Sequence, residues 1–131
     1  MAALLEDINH PEVKAGFDAW SPFLRGEDLY ESAKRMAPST VLSIAANYRQ
    51  YKRYRYLPEL VNYESIEPAM VRATSMSEGE IDYSSFLQGL KDGGYDGYLV
   101  YEMCSPLEGG GEEQNLDAKA SDFIEYFRNK R

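Results

Sequence analysis

The chain has 131 residues, with 22 carboxylates against 14 cationic side chains, one His, one Cys and 44% apolar residues. That is enough apolar material for a core and excludes an intrinsically disordered chain. A net charge of −8 points away from nucleic acid and from anionic membranes as general partners.

One Cys excludes an intrachain disulfide and an all-Cys zinc site. No apolar run approaches the ~20 residues that a membrane helix needs, and Met1-Ala2-Ala3-Leu4-Leu5-Glu6-Asp7 lacks the basic start of a signal peptide. A reduced, cytoplasmic setting is therefore expected.

In chain order, residues 2–8 favour a helix, stopped at Asn9-His10-Pro11 because the residue before a proline is pushed out of the helical region. Val13 to Asp18 reads as a short strand with a carboxylate at its C-terminal end, followed by a loop containing Pro22 and Gly26. Glu27 to Met36 has Leu29, Ala33 and Met36 at helical spacing, with Pro38 just beyond. Thr40 to Ala46 is apolar and rich in β-branched residues, as a buried parallel strand would be. From Asn47 to Gly79 the periodicity is poor and Pro58 and Pro68 intervene, which predicts a long loop over about 47–80. Asp82 is a natural N-cap for a helix over 83–92, which Gly93-Gly94 stops. Tyr98 to Met103 reads as a third strand, again with a carboxylate near its end. Gly109-Gly110-Gly111 leads into a helix over about 115–129 with Leu116, Ala120, Phe123, Ile124 and Phe127 on one side. Strands alternating with helices predict an α/β fold of parallel βα units, in a single domain over residues 1–131.

In such folds the chemistry lies at the C-terminal ends of the strands, which selects Asp18, the Ser43 to Asn47 segment, and Glu102 with Cys104. Two carboxylates at the same end of parallel strands could hold a divalent cation or move a proton, and either could instead cap the helix that follows. Cys104 would need His10 as a partner to act as a nucleophile; His10 precedes the first strand, so a buried, inert thiol is the simpler reading. The triple Gly could let backbone N–H groups approach a phosphate or a sugar hydroxyl, or form only a flexible turn. Residues 48–56 hold four of the cationic side chains, interleaved with Tyr48, Tyr51, Tyr54 and Tyr56. This pattern suits stacking on bases or gripping a phosphorylated ligand, and equally suits a connector paired with the protein's own carboxylates.

The C-terminal residues carry a resemblance. Ile81-Asp82-Tyr83, Leu90-Lys91, Gly94-Tyr95-Asp96-Gly97-Tyr98, Tyr101-Glu102-Met103-Cys104-Ser105-Pro106-Leu107 and Gly109-Gly110-Gly111 resemble the end of the sugar phosphate isomerase/epimerase family, the xylose isomerase-like TIM barrels. His10-Pro11 through Gly16-Phe17-Asp18-Ala19-Trp20 is similar to that family's sixth strand, and Thr40 to Tyr48 to its seventh. The resemblance implies a divalent metal (Mn, Mg or Zn) with Asp18 and Glu102 among its ligands, and Glu102 as the catalytic acid/base beside a sugar or sugar-phosphate carbonyl. The ligand set is incomplete: the family's His falls near Ile44, Asn47 stands where an Asp often follows, and the first Glu would lie on an earlier strand. A full barrel takes ~250 residues. The expected architecture is thus about three strands at the C-terminal end of a barrel, either lacking its N-terminal portion or completed as a homo-oligomer or by a partner chain. The alternatives are a non-catalytic fragment or interaction subunit, and a basic-loop protein for a phosphorylated or nucleic-acid ligand.

Overall fold

The computed structural model describes residues 2–129, which form two compact units. The first unit takes in residues up to 46 and residues 81–102; the second takes in residues 47–80 and 103–129.

The first unit begins with α1 (Ala2–Ile8), which buries no residue. Strands β1 (Ala15–Asp18), β2 (Thr40–Ala45) and β5 (Tyr98–Tyr101) form one sheet in the order β1-β2-β5, and both pairings are parallel. Helices α2 (Trp20–Leu24) and α3 (Leu29–Met36) lie between β1 and β2 in the chain, and α4 (Tyr83–Asp92) precedes β5. The expected α/β class and its three parallel strands are present, as an open sheet.

Local chemistry explains the helix boundaries. Asp28 caps α3 by accepting from the Glu31 N–H at 2.9 Å, while Lys34 and Arg35 face the negative end of the helix dipole. Asp82 caps α4 through the N–H groups of Ser84 and Ser85. At the other end of α4, Tyr95 N donates to Leu90 O and Gly94 N to Lys91 O, with Gly94 at φ +85°. That paired closure needs a left-handed residue, which glycine adopts at no steric cost.

Alternation along the strands sorts the sheet into two faces. Ala15, Phe17, Ser43 and Ala45 are buried, and the Phe17 ring lies 5.7 Å from that of Phe86 on α4. Helices α3 and α4 also touch one another: Gly89 is pressed against the Tyr30 carbonyl and Ala33. Two helices on opposite faces of a sheet could not meet, so both cover the same face. The other face holds Gly16, Leu42, Ile44, Tyr98 and Val100, with Tyr98 81% exposed.

The second unit corrects the expected loop over 47–80. Most of it is an antiparallel hairpin of β3 (Asn47–Leu57) and β4 (Asn62–Thr74), joined by a turn at Pro58–Leu60. Tyrosines at 48, 51, 54 and 56 lack strict alternation because the register shifts between Tyr51 and Arg53. Met70 pairs with Tyr51 and Ile66 with Arg53, so Pro68 falls in the interruption, where a strand tolerates a residue without an N–H. The hairpin base is buried at Tyr48, Ala73 and Met76. Helix α5 (Glu113–Arg128) completes this unit, with Asp122 accepting from Met76 N at 2.8 Å and Lys119 donating to Ser75 Oγ at 2.6 Å. No helix among the described residues is long and apolar enough to cross a membrane.

Candidate functional site

The C-terminal edge of the parallel sheet carries both carboxylates singled out from the sequence. Asp18 ends β1, level with Ile44 on β2, which is level in turn with Val100 on β5. Glu102 follows β5 by one residue, and its N–H continues the ladder to Ala45 O at 3.3 Å. Partners in a parallel register share a face, and so do residues two apart, so Asp18 and Glu102 belong to the helix-free face. They stand two strands apart and are staggered by two residues, which separates their α-carbons by about 12 Å at ordinary sheet spacings.

Their surroundings differ. The Asp18 carboxylate accepts from Ser21 N at 2.8 Å and Ser21 Oγ at 3.4 Å, tying down the first turn of α2. Glu102 is exposed. Among the described residues no group of three or more His, Cys, Asp or Glu is arranged to hold a metal ion. Asp18 and Glu102 are thus two carboxylate donors at the same rim.

The remaining sequence candidates have structural occupations. Asn47 is fully buried; its amide donates to Met76 O at 2.8 Å and its carbonyl accepts from Tyr48 N at 3.0 Å. Ile44 is half-buried on the helix-free face. Cys104 is exposed, not buried as expected, and its backbone N–H donates to the Tyr48 hydroxyl at 3.1 Å. His10 accepts from Glu12 N at 3.2 Å and lines a cleft of about 410 Å³ with Lys14, Arg35 and Ser39, residues that precede β1 and β2. It thus lies on the N-terminal rim of the sheet, opposite the carboxylates. The triple Gly is a turn: Gly109 and Gly110 have φ of +84° and +92°, and the Asn115 amide donates to the carbonyls of Glu108 and Gly110.

Two tyrosine hydroxyls, from the buried Tyr83 and the half-buried Tyr95, bind backbone groups of the sheet. The Tyr83 hydroxyl donates to Ala46 O at 2.7 Å and accepts from Ala46 N at 3.1 Å. The Tyr95 hydroxyl bridges Tyr98 O and Ser43 N, and burial raises its pKa.

The second unit contains a polar cluster that the sequence did not signal. The half-buried Glu108 carboxylate accepts from the Tyr51 hydroxyl and from Thr74 Oγ1 at 2.7 Å, and pairs with Arg49 at 3.7 Å. Those two hydroxyls, aided by Arg49 and Lys119 and opposed by burial, hold its pKa below the ordinary value of 4.5. Arg49 also donates to Glu78 O at 3.0 Å. The hairpin register brings residues 49, 51 and 74 together, and a bridge between Leu107 and Ala73 adds Glu108, so no local motif announces them. With its hydrogen bonds satisfied within the protein, the cluster serves to lock the hairpin base.

No protein-family model, curated protein or solved structure matches the chain.

Proposed function

We propose that this chain supplies consecutive βα units of a sugar or sugar-phosphate isomerase/epimerase-type barrel. The observation that carries the reading is the pair Asp18 and Glu102, on one face at the C-terminal ends of the two outer strands. The winding of the sheet supports it. A doubly wound sheet reverses its strand order and has helices on both faces, whereas here strands adjacent in the sheet follow in chain order and α3 and α4 share a face. Right-handed crossovers that always step in one direction are how a barrel is built. In a barrel the helix-free face is the lumen, and its C-terminal rim is where substrate sits.

In this role the exposed Glu102 carboxylate takes a proton from the carbon next to the substrate carbonyl and returns it to the former carbonyl carbon, while the proton of the adjacent hydroxyl passes to the former carbonyl oxygen. Asp18, anchored by Ser21, is a fixed carboxylate at the same rim. The metal of such enzymes would supply polarisation of the carbonyl, and this chain contributes two of its donors. The other donors would come from further strands.

Two measurements test the reading. Ketose and aldose phosphates incubated with the protein in heavy water should lose the NMR signal of the C–H beside the carbonyl, and Glu102→Gln should abolish that loss. Calorimetric titration with Mn²⁺ should give a binding heat that disappears in Glu102→Ala; the absence of heat in both proteins would overturn the metal-ligand role.

A second reading, an interaction subunit without chemistry, is favoured by two specific observations. The Asp18 carboxylate is already engaged by the Ser21 N–H, and the helix-free face, with half-buried Leu42 and Ile44 and exposed Tyr98 and Val100, offers an apolar surface that a partner would cover. No exchange with any sugar, together with no heat from Mn²⁺, is the outcome that selects it.

A further inference from the structure

The β3–β4 hairpin ends in an apolar arm with nothing to bury it. Tyr54, Tyr56 and Tyr63 are 58%, 47% and 66% exposed, and the turn adds Leu60 at 68% and Val61 at 80%. Tyr56 and Tyr63 are directly opposed across the strands, with ring centroids 5.2 Å apart, and Tyr54 lies on the same face diagonal to Tyr63. A two-stranded ribbon has no core of its own and is marginal in water, so such a face calls for a cover.

Charge says what the cover is. The segment 47–74 has five cationic side chains and three carboxylates, hence +2 in a chain of −8, so the rest of the chain sums to −10. Lys52 and Arg53 form no ion pair among the described residues, while Arg55 is neutralised by Glu64. A cationic arm on an acidic molecule is complementary to a second copy of that molecule. A polyanion such as nucleic acid would be attracted by the arm and repelled by everything else.

Helix α5 offers the matching acceptor. It buries no residue over its 16 positions. Leu116 and Ile124, two turns apart on one stripe with Ala120 between them, are 39% and 49% exposed. Glu113, Asp117 and Glu125 stand beside that stripe. We propose that the hairpin arm of one copy docks on the α5 stripe of a second copy and the reverse, giving a closed two-fold dimer with two identical contacts. This inference is independent of the proposed chemistry.

Sedimentation velocity of the full chain tests it. Wild type should sediment as a dimer at low ionic strength and dissociate as salt rises. Lys52→Glu/Arg53→Glu on the arm and Asp117→Lys/Glu125→Lys on α5 should each weaken self-association about tenfold or more, with unchanged circular dichroism. Mixing the two variants should restore a heterodimer, which a mere loss of structure cannot do. A wild type that is monomeric throughout overturns the proposal, as does a dimer that neither double variant weakens. So do variants that fail to associate when mixed. A labelled single-stranded oligonucleotide bound by wild type and released by Lys52→Glu/Arg53→Glu would assign the arm to nucleic acid instead.

Discussion

A carboxylate at a strand end can bind the turn that follows or face a ligand, and Asp18 shows how close the two uses lie: it holds the Ser21 N–H while standing on the helix-free face of the sheet. Its residue type and strand-end position are legible in the sequence; its partner depends on the chain turning into α2 immediately. Tyr83 is the contrary case. Nothing local marks it, yet its hydroxyl satisfies both the N–H and the carbonyl of Ala46 in a fully buried setting. Tyr83→Phe leaves two buried backbone groups without that partner and should cost about 1–3 kcal/mol in denaturant unfolding. Glu108 makes stability depend on pH. Its pKa in the folded protein is depressed, chiefly by the Tyr51 and Thr74 hydroxyls, so its contribution is complete above the ordinary value of 4.5 and is lost as pH falls through the lower folded value. Glu108→Gln should flatten the acid limb of a stability-versus-pH curve and cost about 1–2 kcal/mol near neutrality.

At the scale of elements, caps and stops mark the helices where side chains act on their own backbone. Asp82 and the Gly93-Gly94 pair mark the ends of α4, because capping is a local event, and the spacing of Leu29, Ala33 and Met36 marks α3 within two residues. The hairpin is where pattern reading failed. A register shift and a proline erased the alternation by which strands are recognised, and the pairing of residue 47 with 74 is a contact no local window contains. The high β-propensity of tyrosine was the signal available. Helix packing is decided by a single hydrogen atom at Gly89: a methyl group there would run into the Tyr30 carbonyl, which is backbone and cannot swing aside. Gly89→Ala should therefore destabilise the fold by about 1–3 kcal/mol, reversing the ~1 kcal/mol that alanine ordinarily gains in a helix. A thermal melt of the variant checks the sign.

For the molecule as a whole, the two faces of the parallel sheet make opposite predictions. Phe17 is buried against Phe86, and Phe17→Ala should cost about 3–5 kcal/mol. Tyr98 lies on the opposite face at 81% exposure, so Tyr98→Thr should stay within about 0.5 kcal/mol in the isolated chain. Equal losses from both, measured by urea unfolding, would mean that the helix-free face is covered in solution.

The sequence by itself determined the three parallel strands, helix α4 with its Asp82 cap and glycine stop, the positions of Asp18 and Glu102 at strand ends, and the acidic balance. All of these depend on residue identity and near neighbours. Only the tertiary structure decided that α3 and α4 share one face, that Asp18 and Glu102 belong to the other, that Asn47 and Glu108 are engaged in holding the hairpin base, and that residues 47–74 form a cationic ribbon. Each of those outcomes requires groups tens of residues apart to meet. Their pairing is set by register and by close packing, and both are properties of the folded chain.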